Sequence, residues 1–217
     1  MPSHKIHMAI AKKINTKLKL NLDSIMLGSV LPDLTITKNH SESHYQTLGS
    51  YDDKLANPDK FLKKYKKNLN NPIIIGYLIH LLTDRYYNDY FFKNHCIIDN
   101  DKLVAVKLKN GKLKKYKKEY KQGDFAKYDM WLLKNNFVTK FNNYNCIDNI
   151  INLNNAEFDK EYLKNYIEKA NNEIDNPKLY KINKSIFYKV VSKKEMDILF
   201  NMCCKYIEEY LKNNQIL

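Results

Sequence analysis

Apolar positions recur at helical spacing through most of the 217-residue chain. In His4–Asn15 they fall at Ile6, Ala9, Ile10 and Ile14, which predicts a short amphipathic helix. A second helix is expected over Asp23–Leu31, ended by Pro32 and Asp33, with the polar loop TITKNHSESHYQ after it. Asn57-Pro58 and Asn71-Pro72 each join a capping side chain to a proline suited to the first helical turn. The second pair opens Ile73–Phe92, which is apolar nearly all round and is expected to lie at the centre of the fold. The period then changes. KLVAVKL, Asn110-Gly111 and KLKKY read as a β-hairpin over residues 102–116 with a two-residue type I′ turn, and Gly123-Asp124 closes the excursion. Helices are expected again over Tyr128–Phe141 and Asp159–Asn172. The run SKKE from Ser192 to Glu195 is a capping box that starts a last helix reaching about Lys212. With no internal repeat and no long linker, the expected class is all-α: one compact multi-helix domain over residues 1–217 with a small hairpin insertion.

Composition narrows the partners. Lys and Arg total 37 against 24 Asp and Glu, a net charge of +13, yet Arg85 is the single Arg. Together with 17 Tyr and abundant Asn, this Lys bias matches the codon usage of an AT-rich genome, so the global charge points only weakly to nucleic acid. The local charge says more. Nine Lys lie between Lys102 and Lys121, interleaved with Tyr116 and Tyr120. Such a hairpin could meet nucleic acid or an anionic membrane surface, or its Lys could simply guard a strand edge. An apolar fraction of 44% with five Gly and five Pro excludes disordered and collagen-like chains. Cys96, Cys146, Cys203 and Cys204 show no CxxC spacing and are expected to be reduced, mostly buried thiols of a cytoplasmic protein. No signal peptide and no transmembrane segment is expected, because no apolar run approaches about 20 residues. Trp131 is expected in the core.

The chemistry concentrates in scarce residues. His80 and Asp84 interrupt the central helix at i and i+4, on one face, with Gly76 and Tyr77 a turn before and Tyr87 and Asn88 a turn after. Burying an imidazole and a carboxylate costs several kcal/mol unless both find partners. A metal ion supplies such a partner, and a plain His–Asp hydrogen bond is the simpler alternative. His4 and His7 stand at i and i+3 on the first helix, Asp33 follows a proline in LGSVLPDL, and His40 and His44 lie in the next loop. Gly28 would allow close packing there.

H-x₂-H, G-x₃-P-D, S-H-Y and G-x₃-H-x₃-D thus occur in one order. Through SHKIHMAIA, GSVLPD, SHY and GYLIHLLTD, over about Pro2–Phe92, the chain resembles the zinc-dependent phospholipase C family, including its small intracellular bacterial members. The resemblance implies an all-helical fold and a metal centre with His7, Asp33, His44, His80 and Asp84 as ligands. His4 is a rival to His7, and Asp129 is a further candidate, with Asp89 and Asp124 as other substitutes. The family continues after HxxxD with another His and an HxxxE, whereas this chain has Tyr90 near the first and no His beyond His95. One ion is therefore expected, or two sharing a carboxylate, with Zn²⁺ the natural choice and Mn²⁺ or Fe²⁺ compatible. Metal-activated water would attack a phosphate ester, with Asp33 orienting or deprotonating it and Asp84 as bridge. Tyr77, Tyr87 and Arg85 are the candidate substrate-binding residues, Arg85 for its bidentate reach to phosphate. Two other readings remain open: an HD-like nucleotide phosphohydrolase, although no His directly precedes an Asp, and a non-catalytic, metal-stabilised helical protein that docks through its basic hairpin.

Overall fold

A computed structural model describes residues 2–35, 40–46, 55–150, 153, 158–179 and 188–217. Among these, eight α-helices accompany one small sheet: α1 (His4–Leu18), α2 (Leu22–Gly28), α3 (His40–Ser43), α4 (Pro58–Tyr65), α5 (Pro72–His95), α6 (Lys118–Lys134), α7 (Lys160–Asp175) and α8 (Lys193–Asn213). Strands β1 (Cys96–Asp99), β2 (Lys102–Lys107) and β3 (Leu113–Lys115) form an antiparallel sheet between α5 and α6. The all-α class with a small β insertion is thus observed.

Helix α5 is the axis. Every residue from Ile73 to Asp84 is buried, and α1, α2, α4 and α8 all pack on it. Its start is set by Asn71, whose Oδ1 accepts from Ile73 N at 2.9 Å, with Pro72 in the first turn. Asn57 caps α4 in the same way, and the expected capping box of Ser192 and Glu195 opens α8. Helix α2 crosses α5 at Gly28 and Gly76. A Cβ on Gly28 would lie 2.3 Å from the Ile73 carbonyl oxygen, and one on Gly76 2.4 Å from that of Ile25.

Several boundaries differ from expectation, each for a local reason. Helix α2 ends at Gly28, and Leu31–Asp33 forms a separate 3₁₀ turn containing Pro32. The loop after Asp33 contains α3, and the side chain of His40 lies outside the described residues. Gly123-Asp124 does not end the insertion but lies inside α6. Buried Asp124 holds that helix by accepting from Lys189, Val190 and Val191 backbone N–H groups and from Lys127 Nζ at 2.7–3.0 Å. Helix α6 then stops short of Phe141, because Asn136 turns left-handed (φ 58) and Phe137 N donates back to Leu132 O.

The hairpin is real, but its turns are distributed differently. Asn100 and Asp101 both have positive φ and form the tight two-residue turn, between β1 and β2. Of the Asn110-Gly111 pair only Gly111 does (φ +80), so β2 and β3 are joined by a longer loop in which Gly111 N donates to Leu108 O. Because a Cβ at Gly111 would meet nothing within 4 Å, Gly111→Ala is expected to cost about 1 kcal/mol through backbone strain alone. Chemical denaturation read by circular dichroism would measure it. All four cysteines are free thiols, three of them buried. Trp131 is partly buried, stacked on Tyr128 at 5.4 Å and covered by Lys193.

Candidate metal centre

Three elements deliver side chains to one point beside α5. Helix α1 supplies His7, fully buried. The 3₁₀ turn supplies Asp33. The end of α3 supplies His44: Tyr45 at φ +56 halts the helix and its ring packs on Phe61. On α5 itself are His80 and Asp84, exposed by 0% and 1%.

The five candidate ligands converge. His44 Nε2 lies 3.0 Å from His80 Nε2, 3.3 Å from Asp84 Oδ2 and 3.5 Å from Asp33 Oδ1. His7 Nε2 lies 3.3 Å from Asp84 Oδ1, and the His7 and His80 rings stack at 3.9 Å. Ligands bound at about 2.0–2.1 Å to a tetrahedral ion stand roughly 3.3 Å apart, the same scale as these separations. Two overlapping groups have the density to hold an ion, His7 with His80 and Asp84, and Asp33 with His44 and His80.

The polar surroundings orient the imidazoles and leave other groups poorly satisfied. His80 Nδ1 is 2.8 Å from Ser29 O. Burial holds the His80 imidazole well below its usual pKa, so it is neutral at pH 7. Its one proton is then donated from Nδ1 to that carbonyl, and the Nε2 lone pair faces the cluster. Ser43 Oγ stands 2.9 Å from His44 Nδ1 in the same supporting role, and Tyr77 OH donates to Ser43 O at 2.6 Å. Burial pushes the Asp84 carboxyl up, but His44 and His7 beside it overcome that and hold it well below the usual carboxylate range. Yet neither Asp84 oxygen, nor either nitrogen of His7, makes a hydrogen bond of good geometry. Asp124, equally buried, has four donors. A buried carboxylate and imidazole whose nearest polar neighbours meet them off hydrogen-bond geometry are costly unless an ion completes them, so the donor set fits a divalent metal.

A cleft of about 690 Å³ opens next to the cluster. His4 and Asp33 form its inner wall, and Phe125, Asp129, Tyr166 and Lys169 line the remainder. His4 is one-third exposed, its Nε2 3.6 Å from Asp33 Oδ2 and its ring edge-on to Tyr166 at 5.3 Å. Asp33 thus faces the buried histidines with one oxygen and the cleft residue His4 with the other.

This order of His and Asp, built on one buried helix and open to a cleft on one side, is matched by the family model for zinc-dependent phospholipase C over residues 3–181. The chain belongs to that family. Neither the curated proteins nor the solved structures provide a match. The family match reaches well past Phe92, where the quoted motifs end, through the sheet, α6 and α7. Zinc-dependent phospholipases are metal-dependent hydrolases of phosphate esters, and the buried His and Asp groups here could hold the ion the family name implies. Among the described residues no helix is long and apolar enough to cross a membrane.

Other sequence candidates lie elsewhere. The Arg85 guanidinium donates to Ala56 O at 3.3 Å, so it is directed toward the chain preceding α4. Tyr87 is buried with its ring edge-on to Phe125, and Tyr77 is stacked on Phe61; neither lines the cleft. Asp129 lines the cleft, and its Oδ1 accepts from Ile6 N at 3.2 Å, tying α6 to α1. Asp89 pairs with Lys93 at the surface. His95 binds Glu195 at 2.7 Å, joining α5 to α8.

Sequence reasoning missed the α7 wall and the supporting contacts. Tyr162, Tyr166 and Lys169 come from a helix that reads only as amphipathic, and the Ser29 partner of His80 is a backbone carbonyl with no sequence signal. The buried Lys5–Glu173 ion pair (2.9 Å), which fixes α7 against α1, had no local signature either.

Proposed function

We propose that the protein hydrolyses phosphodiesters in the manner of a phospholipase C, with His7, Asp33, His44, His80 and Asp84 holding one or two divalent ions. The observation that carries this reading is the pair of buried groups with no hydrogen bond of good geometry, His7 and Asp84, in a cluster beside a cleft. Asp84 presents Oδ1 to His7 and Oδ2 to His44, which suits a bridging carboxylate. A divalent ion bound there would supply Lewis acidity toward phosphoryl oxygens and lower the pKa of a coordinated water. The chain's own residues do the rest. Asp33, at the boundary of cluster and cleft, orients the attacking water and accepts its proton. His4, on the cleft side of Asp33 and with its pKa lowered chiefly by burial, gives a neutral N–H as a hydrogen bond to a phosphoryl oxygen, and the proton taken by Asp33 returns to the leaving oxygen. The side chains of α7 and Phe125 shape the space that receives the ester. The open cleft favours turnover over the alternative of a closed, metal-stabilised binding protein.

Metal analysis of protein purified without chelator, followed by assays on soluble phosphodiesters and phosphomonoesters, tests this. We expect hydrolysis that a chelator abolishes and Zn²⁺ restores. His4→Gln is expected to lower kcat about 100-fold while leaving bound metal unchanged. A fall in metal content would instead make His4 a ligand, and full metal occupancy with no hydrolysis of any ester would refute the enzymatic reading.

A further inference from the structure

The three-stranded sheet presents a face that the fold does not cover. Pairing aligns Ile97 with Ala105 and Lys115 in one row, and Lys107 with Leu113 in the next. The opposite face carries Val106, fully buried against the body. A solvated face of an antiparallel sheet ordinarily reads polar. Here Ile97 and Leu113 stand 43% and 56% exposed beside Lys107 and Lys115, and Val104, displaced by the register shift opposite Ile97 and Ile98, is 40% exposed. Four of the ten exposed large hydrophobic side chains among the described residues lie in this sheet: Ile97, Ile98, Val104 and Leu113.

Charge accompanies the apolar patch. Residues 96–121 contain nine Lys against three acids, +6 of the chain's +13 in 26 residues. All but Lys121 are exposed, and among the described residues none of the eight is in a salt bridge with a carboxylate. Guarding a strand edge accounts for Lys on β3, but not for Ile and Leu standing between the lysines. Aliphatic side chains within a ring of ammonium groups match an anionic lipid surface, which takes the first into its acyl boundary and the second at its headgroups.

Nucleic acid fits the same surface less well. Binding single strands would draw on exposed aromatic rings. The two in this segment are engaged elsewhere: Tyr116 packs on Phe92 and Tyr120 lies under Lys189. The sheet also leads straight into α6, where Gln122 lines the cleft one turn, about 6 Å, after exposed Lys118.

We propose that this sheet face docks the protein on anionic phospholipid bilayers, with Ile97, Val104 and Leu113 entering the interface and Lys107 and Lys115 meeting the headgroups. Docking requires no turnover, so it is measured apart from the hydrolytic reading, by co-sedimentation of the full chain with vesicles in the presence of a chelator. We expect binding to phosphatidylcholine vesicles that contain phosphatidylserine, weakening as salt rises, and little binding to phosphatidylcholine alone. Each Lys near such a surface is worth roughly fivefold in partitioning, so K107A/K115A should bind about 25-fold more weakly. I97S/L113S should lose about tenfold at unchanged Lys content. All four positions are exposed or sit on the sheet surface, and an unchanged thermal midpoint verifies folding. Equal binding to both vesicle types, variants that bind like the parent, or preference for single-stranded DNA over phosphatidylserine vesicles at the same salt would each overturn the proposal.

Discussion

Asp84→Asn is expected to leave the protein without bound metal and without hydrolytic activity. Asp84 stands among three of the histidines, 3.3 Å from His7, 3.3 Å from His44 and 3.9 Å from His80. The amide has the same shape but no charge, and it aims an NH₂ donor at atoms that must offer lone pairs to an ion. Three imidazoles with no central carboxylate make a much poorer site for a hard-to-borderline dication. The measurement is elemental analysis beside thermal unfolding with and without added Zn²⁺. An ion present at 1,000 times its Kd stabilises the native state by about 4 kcal/mol. The parent should therefore melt higher with Zn²⁺ and the variant should not. Asp124→Asn is the control. It too removes a buried charge, and it should cost about 1.5–3 kcal/mol by weakening the bonds to Lys127, Lys189, Val190 and Val191. Its metal content should stay at that of the parent. Stoichiometric metal in Asp84→Asn would remove the centre from α5.

The contrast between these two aspartates shows what the sequence could and could not reveal. Asp84 was legible because it breaks an apolar helix four residues after His80, where burial follows from the pattern of neighbours. Asp124 was misread, since Gly-Asp is a common turn and its real partners lie 65–67 residues away. Helix starts were legible for the same reason that Asp84 was: Asn57, Asn71 and Ser192 act on residues two or three positions on. The insertion was legible as a hairpin but not as three strands. CIID follows a 24-residue helix without a break, and only pairing with β2 makes it a strand. The cleft was not legible at all. Its far wall is α7, brought to α1 by Lys5 and Glu173, 168 positions apart, each of which reads as ordinary surface charge. Local rules thus located the donors, while the space in front of them depends on contacts that no short window contains.

Gly76→Ala is expected to be strongly destabilising for so small a change, and to damage the centre without touching a ligand. A Cβ there would sit 2.4 Å from Ile25 O and 2.9 Å from the Cα of Gly28. Both neighbours are backbone, so relief requires that α2 and α5 move apart, rather than that a side chain rotate. Overpacking of this kind costs about 3 kcal/mol, or a fall of roughly 6–12 °C in Tm for a chain this long. The movement has a chemical consequence. Ser29, the residue after Gly28, holds His80 Nδ1 through its carbonyl, and Gly76 is one turn before His80 on α5. Separating the helices stretches that bond and frees the imidazole to rotate, and loss of such a supporting contact weakens metal binding about 10- to 100-fold. Differential scanning calorimetry and a Zn²⁺ titration of the folded variant read the two effects separately. Gly111→Ala is the reference, a glycine of positive φ with open space around it and no path to the centre. A Gly76→Ala protein that melted no lower than Gly111→Ala and bound Zn²⁺ like the parent would mean that the crossing yields easily. His80 would then be held by α5 alone.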